Sequence, residues 1–549
     1  MGTPPEIPSH RTEAPSAEGA SVAPSSAGTD RVLLDGTGLD ADAVARLADR
    51  AAVPAVPPEA LERAAHSYRV ARRLAATGRV YGLDTGVGAN RTVFLSGTDQ
   101  SGQELRLLRS HAAGAGAELP ARHVRAMLAV RANQVFAGGS QVQPALAEAL
   151  VEALRLGVRP AVNEYGGVGT ADLTALAQTG LTVIGERPWL SGDEAARPVG
   201  GTDAVPGTVP GTVPPQAQAQ AQAQARRPSR AVPAPVAPEH GDALAFMSSN
   251  ALVLGQAALV CHDVDILLRA SHAVAALSLA AVSGSLEAYA APVHAVRPHP
   301  GAVRAAAEVR RLLGAPERSR ATGGRIQDPF GFRVFPQVHG PALDAAGTLR
   351  RVLAVELNAP PENPLISDEG PDGAPIAYHH GGFFATPLGL ALDQLCLALL
   401  QTGQLSTARL AAFGDPDITG LRSYLARGPA GSSGMMILEY SANSALAEVR
   451  ASAMPASVGH AVLSRGLEEA ASFASQAVRQ ALRAVDAYRV VLACELVAAV
   501  GALRQHPAPP PAAPVFTVLD ADLPPLAEDR PLTADVTAAA GLLPMLAAL

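Results

Sequence analysis

Lysine is absent from the chain, so all 43 of its basic residues are arginine. A pyridoxal-type Schiff base and a phosphate-loop lysine are therefore excluded, because both need a lysine side chain. Any chemistry on an amine must use another electrophile. Cysteine is also rare: Cys261, Cys396 and Cys494 are far apart and show no metal-binding spacing. This pattern predicts no disulfide framework, no metal site and a reducing, cytoplasmic setting.

The charge and the hydrophobicity of the chain limit the kinds of partner that it is expected to bind. The net charge of −7 argues against a nucleic-acid partner, and a hydrophobic content of 48% in 549 residues can bury a large core. The most apolar stretch, residues 251–282, contains His262, Asp263, Asp265 and Arg269, so it is not predicted to span a membrane. A small molecule or another copy of the chain is the expected partner.

Two segments have compositions that do not support a packed core. Residues 1–30 are rich in Pro, Ser, Ala and Glu and lack a basic start followed by an apolar run, so they predict a disordered tail and not a signal peptide. Residues from about 194 to 238 contain Val-Pro-Gly-Thr repeats and an alternating Gln-Ala run, which predict a disordered insertion in a surface loop. The remaining chain, residues 31–549, is predicted to form one domain around this insertion.

The hydrophobic pattern of that domain is helical. Within residues 467–503, apolar side chains recur at helical spacing: Val478, Leu482, Val485, Leu492, Leu496 and Val500. Residues 388–400 are apolar on nearly every face. Because a helix that is apolar all round needs neighbours on all sides, the pattern predicts a mainly α fold built as a large helical bundle, completed by other subunits.

Residues 164–176 form a glycine-dense segment, Glu-Tyr-Gly-Gly-Val-Gly-Thr-Ala-Asp-Leu-Thr-Ala-Leu. One interpretation is a turn between two elements, in which Asp172 caps the following helix. The other is a self-cyclising segment, in which the amide nitrogen of one residue attacks the carbonyl two residues before it. Such a ring needs a tight backbone that glycine adopts most easily. The middle residue then loses its hydroxyl as water and leaves an exposed double bond.

This segment, together with the motifs described next, resembles the aromatic amino acid ammonia-lyase family, histidine ammonia-lyases in particular. The family carries Ala-Ser-Gly before Asp-Leu, and the triplet closes into a methylidene-imidazolone (MIO). Counted back from Asp172, the triplet here is Gly169-Thr170-Ala171; counted forward from Gly166, one residue is missing. A ring made from threonine would carry an extra methyl group on its electrophilic carbon. The resemblance covers nearly all of the chain outside the tail and the insertion, and it implies the large helical bundle of aromatic amino acid lyases.

Two catalytic residues follow from the resemblance. Residues 81–88, Tyr-Gly-Leu-Asp-Thr-Gly-Val-Gly, are similar to the family's Tyr-Gly-Ile-Asn-Thr-Gly-Phe-Gly loop, which implies that Tyr81 is the catalytic base. A tyrosine, whose ordinary pKa is about 10, needs cationic or dipolar neighbours before it can accept a proton at neutral pH. Glu468 stands where the family has a glutamate near the substrate side chain, and an acidic residue there would favour an imidazole.

The resemblance also implies a set of substrate-binding residues. Ser110 and His111 match the histidine-type version of the pair that lines the side-chain pocket. Gln327 is implied to lie beside the prosthetic ring, and Asn363 to support the ring or the substrate carboxylate. Arg333 is implied to bind that carboxylate, a task that suits its planar fork of donors.

Several positions depart from the family pattern. Phe330 stands in place of a tyrosine, and Ser248 in place of the asparagine that contacts the ring, although Asn250 is two residues away. Residues 382–386, Gly-Phe-Phe-Ala-Thr, replace Asn-Phe-His-Gly-Glu. Buried polar groups are costly without partners, so losing groups and partners together is a coherent way to change a pocket.

Three functions are compatible with these residues. In the first, Tyr81 removes the proton β to the carboxylate and the α-amine leaves, with a ring from residues 169–171 or a ring-free substitute as the electrophile. An aminomutase, which would add the amine back at the β-carbon, is the near alternative. The third is a binding or assembly protein that keeps the fold without the electrophile. The resemblance further implies an amino acid substrate, no exogenous cofactor and a homotetramer whose sites draw residues from several subunits.

Overall fold

A computed structural model of the protein describes residues 30–77, 81–82, 85–94, 102–191, 231–320, 324–506 and 522–549. The predicted disordered tail and insertion lie outside the described residues, except for Asp30 and residues 231–238. Leu83 and Asp84 of the Tyr81 loop also lie outside them. At the end of the predicted insertion, the Val236 N–H donates to the Val183 carbonyl at 3.1 Å.

Most of the described chain is helical. In chain order, the helices are α1 (Ala41–Ala48), α2 (Pro58–Thr77), α3 (Gln103–His111), α4 (Ala121–Phe136), α5 (Pro144–Leu156), α6 (Leu173–Val183), α7 (Asp242–Met247), α8 (Ala251–Ala281), α9 (Ala291–Ala295), α10 (Pro300–Leu312), α11 (Phe330–Arg333), α12 (Phe335–Glu356), α13 (Thr386–Ala412), α14 (Pro416–Thr419), α15 (Ile437–Ser452), α16 (Ala474–Leu503) and α17 (Thr533–Ala547).

Short strands lie between these helices and pair with one another two by two. They are β1 (Arg31–Leu33), β2 (Val53–Ala55), β3 (Ala115–Glu118), β4 (Val158–Arg159), β5 (Asn163–Tyr165), β6 (Leu190–Ser191), β7 (Leu365–Ser367) and β8 (Ile376–Tyr378). The pair β1–β2 is parallel, and the pairs β3–β5, β4–β6 and β7–β8 are antiparallel. Strand β5 of the pair β3–β5 leads directly into the glycine-dense segment. The loop after β8 passes beside that segment, since the Ala385 N–H donates to the Gly169 carbonyl.

The centre of the molecule is a bundle of long helices. Helices α8, α12, α13, α15 and α16 pack against one another. Helix α8 is buried along most of its length, and its polar residues between His262 and Arg269 are partly exposed. The segment 242–281 is long and apolar enough to cross a bilayer by length and composition, yet 78% of its most apolar window is buried inside the protein. Some apolar side chains on the outer faces remain exposed, including Leu390 and Leu397 of α13.

The predicted start of the last long helix is wrong. The pattern placed it near Leu467, whereas α16 begins at Ala474. Phe473 adopts a left-handed backbone with φ of 53°, which an L-residue cannot continue into a helix. Its N–H donates to the Val168 carbonyl at 2.8 Å, so a contact with the glycine-dense segment determines where the helix starts.

A buried ion pair joins the bundle helices. Arg409 of α13 donates to Glu495 of α16 at 2.5 and 2.8 Å, and both side chains are almost completely buried. The same carboxylate accepts hydrogen bonds from Ser278 of α8 at 2.7 Å and from Ser406 at 2.5 Å. Arg409 also donates to the Gly331 carbonyl of α11 at 3.2 Å. Since its members lie on α8, α11, α13 and α16, this network specifies how these four helices are aligned.

Candidate active site

Four helices begin beside residues 168–172, the end of the glycine-dense segment. The residues that precede these helices are Asp172 before α6, Asn250 before α8, Ala385 before α13 and Phe473 before α16. Backbone hydrogen bonds connect them to the segment or to one another: Asp172 N–H to Ser249, Ala385 N–H to Gly169 and Phe473 N–H to Val168. Helix N-termini carry partial positive charge, so four of them together favour negative charge at this point.

Gly169 is held tightly within this junction. Its backbone has a φ of 83°, and its carbonyl accepts a hydrogen bond from the Ser472 hydroxyl at 2.7 Å and one from the Ala385 N–H at 3.4 Å. A Cβ atom at position 169 would lie 2.1 Å from the Ser472 oxygen. The alanine that the family carries at this position would therefore displace Ser472.

Ala171 is strained where the family has glycine. Its φ is 140°, a region that residues with a Cβ rarely adopt, and its side chain is buried. Thr170, between the two, is only half-buried, so its hydroxyl borders accessible space. The first and third residues of the triplet thus both have positive φ, at the expense of strain at Ala171.

Asp172 does not cap the helix that follows it, so that interpretation of the sequence is wrong. The residue lies at the N-terminus of α6, but its carboxylate accepts a hydrogen bond from the Val253 N–H, in the first turn of α8, at 3.0 Å. Its own N–H donates to the Ser249 carbonyl at 2.7 Å. Asp172 therefore ties the triplet to α8. Burial raises the pKa of this carboxyl to about 7, although backbone N–H groups of α8 oppose the shift.

This pKa predicts a pH-dependent stability. Because the folded-state pKa lies above the ordinary value of 3.8, the folded protein binds the proton more tightly than the unfolded chain, and stability is lost as the pH rises from about 4 to about 7. Asp172→Asn, which stays neutral and keeps an acceptor for Val253, should remove this loss, worth up to about 1.4 kcal/mol per pH unit. Urea unfolding of both proteins at several pH values measures the difference. Parallel pH curves for the two proteins would contradict the assignment.

Tyr81 and Glu468 lie on adjoining loops. The Tyr81 phenol oxygen accepts a hydrogen bond from the Gly88 N–H at 2.8 Å, and the Tyr81 ring meets the ring of His379 edge-on with centroids 6.4 Å apart. Ser464 packs against Gly88, where an added Cβ would lie 3.5 Å from its hydroxyl oxygen, and donates to the Glu468 carboxylate at 2.8 Å. The loop that carries Glu468 continues directly to Ser472, which holds the triplet.

Asn363 is linked to the triplet through the loop after β8. Its side-chain oxygen accepts from the His380 N–H at 2.9 Å, and His380 in turn accepts from the Gly382 N–H at 2.9 Å. The same loop ends at Ala385, whose N–H donates to Gly169. Residues 380–385 therefore form a continuous connection between Asn363 and the first residue of the triplet.

Asn250, two residues after Ser248, directly precedes α8. Asn250 is buried, its amide nitrogen donates to the Phe383 carbonyl at 2.5 Å, and its amide oxygen has no partner among the described residues. Ser248 only terminates α7 through its backbone. Ser248 is the residue that the resemblance gives, because it occupies the family position. Asn250 could be found from the sequence as the polar residue directly before a long apolar helix.

Ser110 and His111 end α3, which packs against α6 and α7. The His111 Nδ1 atom lies 3.0 Å from the Leu107 carbonyl and 3.0 Å from the Ser110 hydroxyl, and the imidazole is half-buried. Because α6 starts at the triplet and α7 leads to Asn250, these two residues lie on a helix that borders the junction.

Gln327, Phe330 and Arg333 lie elsewhere in the protomer. The nearby Arg325 donates to the Val282 carbonyl at the C-terminal end of α8, whereas the triplet contacts the N-terminal end. A helix of 31 residues is about 45 Å long, so the structure does not bring these three residues to the triplet within one chain. Phe330 is 64% exposed, with the Arg333 guanidinium 4.5 Å from its ring centroid, and Arg333 Nε is buried without a partner among the described residues.

The described residues contain no group of three or more His, Cys, Asp and Glu side chains arranged to hold a metal ion. The three cysteines are buried and unbonded. Burial raises the pKa of Cys261 to about 11 and that of Cys396 to about 12, which keeps both thiols protonated at neutral pH. Neither thiol is therefore suited to act as a nucleophile.

The chain is similar in sequence to known proteins over most of its length. A family model described as "Aromatic amino acid lyase" matches residues 39–521. The histidine ammonia-lyase of Anaeromyxobacter dehalogenans (strain 2CP-C) is 33% identical over 532 residues, covering 93% of this chain and 98% of that protein. The histidine ammonia-lyase of Sorangium cellulosum (strain So ce56) is 33% identical over 523 residues, covering 93% and 97%.

Solved structures show the same fold. Tyrosine aminomutase from Streptomyces globisporus superposes with a TM-score of 0.81 at 25% identity and covers 94% of this chain and 97% of that one. Histidine ammonia-lyase from Trypanosoma cruzi superposes with a TM-score of 0.79 at 24% identity, covering 93% of each chain. The predicted mainly α bundle is thereby confirmed.

Proposed function

The chain belongs to the aromatic amino acid lyase family and is a carbon–nitrogen lyase, and we propose that its substrate is an aromatic amino acid with a histidine-type side chain. The enzyme eliminates the α-amine and releases an α,β-unsaturated acid. The proposal is supported by the hydrogen bonds that join the loops after Asn363 and Glu468 to Gly169, and by the packing of the Tyr81 loop against the Glu468 loop.

We assign each candidate site residue a role in this reaction. Tyr81 removes the proton β to the carboxylate, and the Gly88 N–H favours the phenolate by donating to its oxygen. Arg333 holds the substrate carboxylate, with Gln327 and Asn363 beside it. Glu468 accepts a hydrogen bond from the imidazole, which lies against Ser110, His111 and Phe330. Ser248 borders the triplet without a direct contact to the substrate.

The triplet fits the formation of a protein-derived ring like that of the family. Gly169 presents a carbonyl held by two donors, and the segment already adopts a tight turn at Gly169 and Ala171. Thr170 supplies a hydroxyl that can leave as water. Once formed, such a ring supplies the electrophile that turns the amine into a leaving group. Asn250 is the polar side chain placed to contact it.

The site is completed by other copies of the chain in a homotetramer. Arg325, which is close to Gln327 and Arg333 in the chain, contacts the end of α8 that is about 45 Å from the triplet, so we assign Gln327 and Arg333 to the site of a neighbouring copy. Exposed apolar side chains such as Phe330, Leu390 and Leu397 supply surface for such an assembly. The buried, unbonded cysteines suit a reducing cytoplasm.

Absorbance tests the reaction directly. Incubation of the purified protein with histidine should raise the near-ultraviolet absorbance of a conjugated acrylate and release ammonia in equal amount. A β-amino acid product detected by mass spectrometry would instead identify an aminomutase, which uses the same base and carboxylate site. Absence of any product across the aromatic amino acids would contradict both and favour a binding protein.

Mixed assemblies test the shared site. Tyr81→Phe and Arg333→Ala should each abolish activity alone, whereas co-expression should restore part of it, because some sites then combine Arg333 from one chain with Tyr81 from another. A matched control mixes Tyr81→Phe with Asn363→Ala; we assign both positions to the triplet of the same chain, so no site in this mixture has both native side chains and no activity should be recovered. Equal recovery in the two mixtures would contradict the sharing of Arg333 between chains.

A further inference from the structure

We propose that Ser472 is a catalytic residue for closure of the Gly169–Ala171 ring, its hydroxyl forming with the Ala385 N–H an oxyanion hole for the Gly169 carbonyl. The inference rests on the ring invoked in the proposed function, and it assigns a chemical step to a residue that has no part in binding the amino acid. It is carried by the two hydrogen bonds that end on a single backbone oxygen.

The geometry of these bonds suits that task. The Ser472 hydroxyl lies 2.7 Å and the Ala385 nitrogen 3.4 Å from the Gly169 oxygen. Ser472 is buried, and the neighbouring Phe473 N–H fixes its segment by donating to the Val168 carbonyl at 2.8 Å. Donors held in place before a reaction stabilise developing charge without a cost of reorganisation. The donor pair is therefore preorganised by the fold.

The replacement of alanine by glycine at position 169 explains how Ser472 comes so close. An added Cβ would lie 2.1 Å from the hydroxyl oxygen, far inside contact distance. Only glycine allows the hydroxyl to reach the carbonyl along this direction. The glycine at position 169, which departs from the family pattern, thus allows the Ser472 hydroxyl to contact and activate the Gly169 carbonyl.

The chemistry places negative charge where these donors point. The Ala171 amide nitrogen forms a bond to the Gly169 carbonyl carbon, and the carbonyl π electrons move to the oxygen, which then receives the Ala171 amide proton. This oxygen leaves as water with the Thr170 amide proton, giving a carbon–nitrogen double bond. Thr170 then loses its hydroxyl and its Cα proton as a second water. No oxidant or reductant is needed.

Helix dipoles reinforce the two donors. Ala385 directly precedes α13 and Phe473 directly precedes α16, so the Gly169 oxygen faces the positive ends of two helices of 27 and 30 residues. An oxygen that gains negative charge is stabilised there, whereas a neutral carbonyl gains less. The difference lowers the barrier to ring closure rather than merely stabilising the turn.

Ser475 provides a matched control. Its hydroxyl is buried three residues along the chain, at the start of α16, and has no partner among the described residues. Ser475→Ala therefore removes the same group from the same region without touching the Gly169 carbonyl. Ser472→Ala also removes the acceptor of the Ala474 N–H at 3.3 Å, so thermal melting of both variants measures the difference in stability separately from the rate of ring closure.

Intact-mass spectrometry of the full chain, followed over time after a short expression pulse, measures ring closure as the loss of two waters. Ser472→Ala should slow this loss by about 10²- to 10³-fold, the usual effect of removing one oxyanion-hole donor, while Ser475→Ala should not change it. Both variants should retain a cooperative thermal transition. Equal rates of water loss in folded Ser472→Ala and Ser475→Ala would overturn the proposal.

The same measurement in a second background separates this inference from the proposed function. Thr170→Ser with Ala171→Gly restores the residues that the family carries at those two positions. If only this altered chain loses water, the native chain makes no ring, but Ser472→Ala in the altered chain still decides the role of the hydroxyl. If neither chain loses water, the carbonyl is not activated and the proposal is overturned.

Discussion

Replacing Tyr81 with phenylalanine is expected to reduce the rate of amine elimination by about 10²- to 10⁴-fold, the usual effect of removing a positioned general base. The substitution deletes only the phenol oxygen, which accepts the Gly88 N–H, and leaves the ring contact with His379 in place. The fall should appear in kcat more than in KM, because the phenolate acts on the transition state and does not bind the carboxylate. Steady-state absorbance with histidine as substrate measures both constants.

Tyr68→Phe is the control for this prediction. Tyr68 lies on α2 and its hydroxyl donates to Glu239, away from the triplet. Its removal should leave kcat unchanged, because its hydrogen-bond partner Glu239 is not one of the residues assigned to the reaction. A Tyr81→Phe protein with unchanged kcat would mean that another group accepts the proton. Thermal melting of both variants establishes that they are folded.

Glu495→Ala is expected to lower the free energy of unfolding by about 3–5 kcal/mol, because it leaves the Arg409 guanidinium as an uncompensated buried charge. The hydroxyls of Ser278 and Ser406 lose their acceptor in the same change. Denaturant unfolding of the purified protein measures the loss. The variant should also weaken substrate binding, since Arg409 donates to Gly331 of α11, the helix that carries Arg333.

An exposed ion pair provides the comparison. Arg269 and Asp265 are 2.9 Å apart on α8, and both are partly exposed to solvent. Asp265→Ala should cost less than about 1 kcal/mol, because solvent screens such pairs and replaces their hydrogen bonds. If Glu495→Ala costs no more than Asp265→Ala, the buried network does not contribute to the alignment of the bundle in the way its geometry indicates.

Helical periodicity predicted the bundle but not the ends of its helices. The apolar repeat of α16 is a property of local sequence, and it identified the helix correctly. Its first residue depends on a hydrogen bond from Phe473 to Val168, about three hundred residues earlier in the chain. The contact of Asp172 with α8 instead of α6 has the same origin. Neither can be derived from spacing, because no local pattern encodes which loop meets which helix.

The candidate site divides in a similar way. The motifs that carry Tyr81, Asn363, Glu468 and the triplet could be recognised in the sequence. Each motif is a short run of consecutive residues, so the residue order alone is enough to identify it. Ser248 was predicted from its family position, whereas the burial of Asn250 and its unpartnered amide oxygen are visible only in the structure. The separation of Arg333 from the triplet was not predictable for one chain, since it follows from the length of α8 and from the connections at its two ends.

By itself, the sequence determined the mainly helical architecture, the absence of lysine chemistry and the family of the chain, and it predicted the residues that would supply a base, a carboxylate clamp and a hydroxyl. The tertiary structure alone decided that four helix N-termini meet beside Gly169, that Ser472 reaches its carbonyl, and that Arg333 lies far from the triplet of its own chain. The physical reason is that side-chain chemistry and helical periodicity are local, whereas hydrogen bonds between distant segments arise only when the bundle is packed.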